Sequence, residues 1–294
     1  MPDRQIRVVD VFTEKALTGN QLAVVLDGTD LSSKLMQRIA REMNFPETTF
    51  VLPPDNPAHA AKVRIFTPAM ELPFAGHPTI GTAWVLADEG IARGLEFTLE
   101  ETVGPVRVRG VTENGRVVFW MTHPKMSFGE VLPHKQVAAA IGVDEDAIVH
   151  DVPAQFASTG NPHLYVALRD PGAVDAGVPD PARVRKLVGD HAHGIYLVAA
   201  NGPGHLYGRM FAEDVSEDPA TGSAAGPLGA FAVKYGLAER AAKVAIVTEQ
   251  GTKMGRQGFI HIQLEYGESK DVPERIEVGG GVMPVLRGTL ADFE

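Results

Sequence analysis

The stretch Glu71-Leu72-Pro73-Phe74-Ala75-Gly76-His77-Pro78 runs into Thr79-Ile80-Gly81-Thr82-Ala83-Trp84-Val85-Leu86-Ala87. The same order returns as Glu217-Asp218-Pro219-Ala220-Thr221-Gly222-Ser223, followed by the apolar run from Ala224 to Tyr235. Four pairs stand 146 positions apart: Glu71 and Glu217, Pro73 and Pro219, Gly76 and Gly222, His77 and Ser223. A helix with almost no polar face is buried on all sides. Each copy therefore sets one core helix immediately after a Gly-containing turn, and Pro78 suits a first helical turn.

The repeat extends outward on both sides. Arg64-Ile65-Phe66 is matched by Arg209-Met210-Phe211, and Gly19-Asn20 before Leu22–Leu26 by Gly160-Asn161 before Leu164–Leu168. Ile6–Val11, Leu22–Leu26, Thr48–Leu52 and Val63–Thr67 are short β-branched or apolar runs and read as strands, as do the segments from Phe97 to Met121. Between them, Leu35, Met36, Ile39 and Met43 recur at helical spacing, with Asp30 or Ser32 as start signal and Asn44 and Pro46 as stop. Asp180-Pro181 opens a comparable helix in the second half, carrying the dense basic run Arg183–Lys186. The expectation is an α+β chain of two pseudo-symmetric domains, each a sheet or barrel around one buried helix. The domains are placed at 1–124 and 125–294, with the last strand free to return to the first.

Composition excludes several functions. The 294 residues suit two domains. The net charge of -10, without a Lys/Arg cluster, argues against nucleic acid as partner. There are no cysteines, which removes disulfides, thiol catalysis and Cys-ligated zinc together. The N-terminus lacks the apolar stretch of a signal peptide, and no run has the length of a membrane span. The cytoplasm is the expected location.

Two helix starts at Gly turns suggest chemistry. A helix N-terminus offers unpaired N–H groups and positive partial charge, a site for a carboxylate or a developing enolate. Glu47 falls at the mouth of a strand beside Phe45, Pro46 and Phe50, where partial burial suits an acid/base; a solvated edge charge is the plainer reading. His77, Asp218 and Ser223 surround the two turns. Ser223 also reads as a helix cap, Asp218 as a turn residue before Pro219, and Asn20 and Asn161 as turn formers. Gly222-Ser223-Ala224-Ala225-Gly226 is not a nucleophile elbow, so a hydrolytic triad is disfavoured. His191-Ala192-His193 could place two imidazoles on one strand face, but no carboxylate stands at ligand spacing, and no metal site is expected. No dinucleotide fingerprint or phosphate loop is present.

The segments from Gln37 to Val51, from Arg64 to Pro78 and from Glu217 to Leu228, with Val9-Asp10-Val11-Phe12 and Gly19-Asn20, resemble the PhzF family of phenazine biosynthesis. The likeness runs from the N-terminus to about Gly236. It implies the diaminopimelate-epimerase-like fold, a homodimer, no cofactor, and an active site between two similar halves. It implies that Glu47 carries the proton, with Asp218 and His77 in the catalytic set and Gly76, Gly222, Ser223 and Asn20 binding a small carboxylated substrate. In thiol-using relatives a cysteine precedes each Gly; here those positions are Ala75 and Thr221, so a two-thiol racemase mechanism is impossible. Pro46 stands where the phenazine enzyme has Ser. The implied activity is a cofactor-free proton shift, with trans-2,3-dihydro-3-hydroxyanthranilate as the candidate substrate. The rivals are an epimerase or racemase of an amino or hydroxy acid and a non-catalytic binding protein on the same fold.

Overall fold

The computed structural model describes residues 4–113, 115–189, 192–212, 216–267 and 271–291. The chain opens with β1 (Arg4–Val11), β2 (Asn20–Val25), α1 (Ser33–Met43), β3 (Glu47–Leu52), β4 (Ala61–Phe66), β5 (Glu71–Leu72) and α2 (Gly76–Asp88). It continues through β6 (Glu96–Glu101), β7 (Gly104–Glu113), β8 (Arg116–Thr122), β9 (Ser127–Leu132), α3 (His134–Ile141), β10 (Ala154–Ser158) and β11 (His163–Ala167). Next come α4 (Pro171–Ala176), α5 (Pro181–Val188), β12 (Gly194–Ala200), β13 (His205–Ala212), β14 (Glu217–Asp218) and α6 (Gly222–Lys234). The last strands are β15 (Lys243–Gln250), β16 (Gly258–Glu265), β17 (Arg275–Gly280) and β18 (Val282–Leu290).

Contacts gather into two compact units. One comprises the described residues through Thr122 together with those from Gly279 on; the other is His123–Val278. In the first, β18, β1, β2, β3, β4, β6, β7 and β8 pair in that order, and β5 adds to the end of β4. The steps β2–β3 and β4–β6 are parallel and the rest antiparallel. In the second, β9, β10, β11, β12, β13, β15 and β16 follow the same scheme, with β14 on the end of β13. The parallel steps again fall at the equivalent places, β11–β12 and β13–β15. Thus β9, which opens the second unit, takes the place held in the first by β18.

Each unit wraps its sheet around one helix. In α2 the residues Gly76 to Ala83, with Val85 and Leu86, are buried, against β1, β2, β3, β7, β8 and β18. In α6 Gly222 and everything from Ala224 to Val233 is buried, against β10, β11 and β16. A mid-helix Gly costs about 1 kcal/mol relative to Ala, and both helices carry one where the sheet comes close. A Cβ on Gly81 would lie 2.6 Å from Leu22 Cδ2, and one on Gly229 would lie 2.7 Å from Ile262 Cγ2. The duplicated α+β architecture expected from the repeat is the one observed. Among the described residues no helix is long and apolar enough to cross a membrane.

Helix α1 sets the entry to β3. Ser32, rather than Asp30, is its cap, accepting from the Leu35 N–H. Met36, Ile39 and Ala40 bury its apolar face against Val25, Phe50 and Phe66. Asn44 ends it in the left-handed region at φ 51°. Ser32→Ala should lower stability by about 1 kcal/mol, read as an earlier denaturant midpoint with unchanged slope.

Candidate active site

Asn44 turns the chain and Pro46 prevents the helix from continuing, so Glu47 opens β3 in parallel register with Leu22 of β2. Its side chain is 15% exposed. His77, second residue of α2, is buried, and its Nε2 lies 3.1 Å from Glu47 Oε2, within ion-pair range but off the line of a hydrogen bond. Burial drives the imidazole pKa down to about 3, opposed by a hydrogen bond with the Gln21 backbone. A backbone partner that favours the charged ring is a carbonyl. Since Nε2 faces Glu47, Nδ1 holds the proton and gives it to Gln21. At neutral pH the ring is uncharged, with its Nε2 beside the carboxyl group. Asn20 is buried at the start of β2, opposite Val11.

The tip of α2 has few donors left to spare. The N–H groups of Gly76 and His77 precede the helical ladder, Pro78 has none, and Thr79 N reaches Ala75 O at 3.3 Å. The Thr79 hydroxyl lies 2.6 Å from the Ala75 carbonyl and 2.5 Å from Glu101 Oε1. A hydroxyl has one hydrogen, and a carbonyl can only accept. With Glu101 protonated both contacts are satisfied: the acid donates to Thr79 Oγ1, and Thr79 donates to the Ala75 carbonyl. Burial agrees: it pushes the Glu101 pKa up to about 8 against the opposing Thr79 bond. Glu101 is thus a neutral acid bracing the first turn of α2.

In the second unit Thr221 occupies the N-cap position of α6, and its side chain makes no cap bond. Ser223 is inside the helix and does not cap it. Ala224 N and Ala225 N both reach Thr221 O, at 3.2 and 3.1 Å, so the Gly222 and Ser223 N–H groups lead this tip as Gly76 and His77 lead the other. Asp218 lies in β14 opposite Met210, a strand position rather than a turn. Its Oδ2 accepts from Thr221 Oγ1 at 2.5 Å.

The repeat is also carried by ion pairs. Arg64 holds Glu71 through Nε and Nη2 at 2.7 and 2.6 Å and lies 5.1 Å over the Phe66 ring. Arg209 holds Glu217 through the same atoms at 2.9 and 2.8 Å and lies 4.7 Å over Phe211. Bidentate Arg–carboxylate pairs fix orientation as well as distance, so each fastens the short strand leading into a helix tip.

The structure thus brings Glu47 to His77 in one unit and Asp218 to the Gly222–Ser223 tip in the other. The roles of Glu101, Thr79, Thr221 and Gln250 were not legible in the sequence. Each reads there as an ordinary strand or turn residue, and only the folded register gives it a partner. His193 lies with its ring 6.2 Å from that of His163; His191 is outside the described residues. No group of three His, Asp or Glu stands at metal-binding distance among the described residues. A cavity of about 680 Å³ in the first unit is lined by Trp84, Arg116, Phe119 and Met283 among others, and none of the candidate residues lies in its walls.

A sheet wrapped around a helix, built twice, recurs among solved structures. A hydroxyproline epimerase from Agrobacterium vitis shares it with TM-score 0.65 at 12% identity, over 99% of this chain and 91% of that one. A Bacillus anthracis phenazine biosynthesis protein of the PhzF family shares it with TM-score 0.88 at 25% identity, over 99% and 100%. The family model PhzC-PhzF, phenazine biosynthesis-like protein, matches residues 9–288. The trans-2,3-dihydro-3-hydroxyanthranilate isomerase of Pseudomonas chlororaphis is 37% identical over 286 residues, 96% of this chain and 98% of the relative. The chain belongs to the PhzC-PhzF family and is an isomerase.

Proposed function

We propose that the protein moves a proton on a small carboxylated substrate by acid/base catalysis without a cofactor, with Glu47 as proton carrier. The observation that carries this reading is the Glu47–His77 contact at the α2 tip, 3.1 Å between Oε2 and Nε2. At that distance the imidazole nitrogen stands within reach of the carboxyl group that carries the proton. The tip N–H groups of Gly76 and Gly222, with Ser223, are assigned to the substrate carboxylate or a developing enolate. Asp218 is assigned to the catalytic set, and Asn20 to substrate binding. The absence of cysteine removes thiols from the possible proton carriers.

The substrate to test is trans-2,3-dihydro-3-hydroxyanthranilate, named for the Pseudomonas chlororaphis relative. Glu47 would take the proton from the carbon bearing the hydroxyl. A proton returned at the carboxylate-bearing ring carbon shifts the double bonds and yields an enol, which tautomerises to the ketone. Turnover in deuterated water should place deuterium at carbon with double-bond migration. Inversion of one stereocentre without migration would instead mark an epimerase, and recovery of unlabelled substrate would remove this compound from the reading. A cytoplasmic homodimer belongs to the same proposal; a monomer in sedimentation would overturn that part.

A further inference from the structure

We infer that Gln250 is a positioning residue for Asp218: its amide obliges the Thr221 hydroxyl to donate to Asp218 Oδ2, and so fixes how the carboxylate is presented. The inference rests on the reading of Asp218 as part of the catalytic set.

Gln250 ends β15 and is fully buried. Its Oε1 accepts from Thr221 N at 3.2 Å and from the Tyr196 hydroxyl at 2.8 Å. Its Nε2 donates to the Asp218 carbonyl at 2.7 Å and to Thr221 Oγ1 at 2.9 Å. All four hydrogen-bonding positions of the amide are used. Two of the partners settle its orientation, because a backbone N–H can only donate and a backbone carbonyl can only accept. The amide cannot be flipped. Thr221 Oγ1 therefore receives a hydrogen from Gln250, and the acceptor within reach of its own hydrogen is Asp218 Oδ2, 2.5 Å away. The chain of donation runs one way, from Gln250 to Thr221 to Asp218. Tyr196, which holds the far side of the amide, is itself buried and stacked on Tyr165 at 5.9 Å.

The internal repeat supports a dedicated role. Ala61 and Lys62 pair with Leu99 and Glu100, while Leu206 and Tyr207 pair with Thr248 and Glu249. With Arg64 matched to Arg209, these registers make Glu101 and Gln250 the same position. In one unit that position braces its helix tip as a neutral acid through Thr79; in the other it does so as an amide through Thr221. Both forms are uncharged and both donate. The difference is the recipient at the end: an Ala75 carbonyl in the first unit and the Asp218 carboxylate in the second.

The test uses the full chain and the variants Q250L, Q250E, T221V, T221S and D218N. Two readouts are taken: kcat and KM on trans-2,3-dihydro-3-hydroxyanthranilate, and pH titration of the Asp218 carboxyl-carbon signal in ¹³C-labelled protein. Q250L and T221V should each lower kcat about 10- to 100-fold, the scale of a misplaced group, with KM nearly unchanged. T221S should restore it. The double variant should be no worse than either single one, because both break one chain. Q250E should work at acid pH and fail as the introduced carboxyl ionises, an alkaline limb absent from the wild type. The Asp218 signal should titrate at higher pH in Q250L and T221V, which lose the donated hydrogen or its direction. Wild-type kcat together with an unmoved titration in T221V and Q250E would overturn the inference even if Q250L does not fold. Full turnover in D218N would instead remove Asp218 from the catalytic set. The carboxyl titration then decides the Gln250 chain by itself: a moved midpoint upholds it and an unmoved one ends it.

Discussion

Glu47→Gln is expected to lower turnover of trans-2,3-dihydro-3-hydroxyanthranilate by about 10³-fold, within the range general acid–base groups contribute, and to abolish deuterium incorporation at carbon. The amide has the shape of the carboxyl group but cannot accept a proton at neutral pH. The variant should fold, because Gln has the size and shape of Glu and its amide fits beside His77 Nε2, which lies 3.1 Å from Glu47 Oε2. Thermal midpoint and circular dichroism near wild type would show that chemistry, not folding, was lost. Glu47→Asp keeps the functional group and withdraws it by one methylene, so an intermediate loss of about 10²-fold is expected from misplacement. Turnover unchanged in Glu47→Gln would exclude this residue as the proton carrier. A loss confined to KM would make it a binding group instead.

The second large effect concerns stability and pH. Glu101 is neutral in the folded chain, with its pKa raised from 4.5 to about 8, mainly by burial. In the unfolded chain it ionises near its ordinary value. Between those two values the native state holds a proton that the unfolded state has released, so stability falls as pH rises, by about 1.4 kcal/mol per unit for this group. Below the lower value both states are protonated and the full contribution is present; above the upper one the loss is complete. Glu101→Gln keeps a neutral donor for Thr79 and does not titrate. The stability difference between variant and wild type should therefore shift toward the variant by on the order of 4 kcal/mol between pH 5 and pH 8.5. Urea unfolding at a series of pH values measures it. A difference that stays flat across that interval would show Glu101 ionised in the native state and the proton count at Thr79 wrong.

Much of the fold was legible because burial writes itself into composition. A helix such as Ala224–Tyr235, apolar around its whole circumference, can sit only inside a sheet, and two such helices after similar turns announce two similar units. The candidate site was legible in part. Glu47, His77, Asp218 and the two glycines lie in or beside motifs that repeat or resemble a family, so the sequence offers them as candidates. The braces behind them could not. Gln250 is 29 residues beyond Thr221 and Glu101 is 22 beyond Thr79, in strands whose sequences ask only for alternation. The plainer readings of Ser223 as a cap and Asp218 as a turn residue also fell only when the helix start and the β14 pairing were seen.

The amino-acid sequence determined that this chain is a duplicated α+β protein without thiol chemistry, because hydrophobic periodicity, Gly and Pro placement and the lack of cysteine are properties of the chain itself. The tertiary structure decided which polar groups meet: His77 with Glu47 and the Gln21 backbone, Glu101 with Thr79, and Gln250 with Thr221 and the Asp218 carbonyl. Those contacts are a matter of strand register between distant segments, which no local pattern of residues encodes.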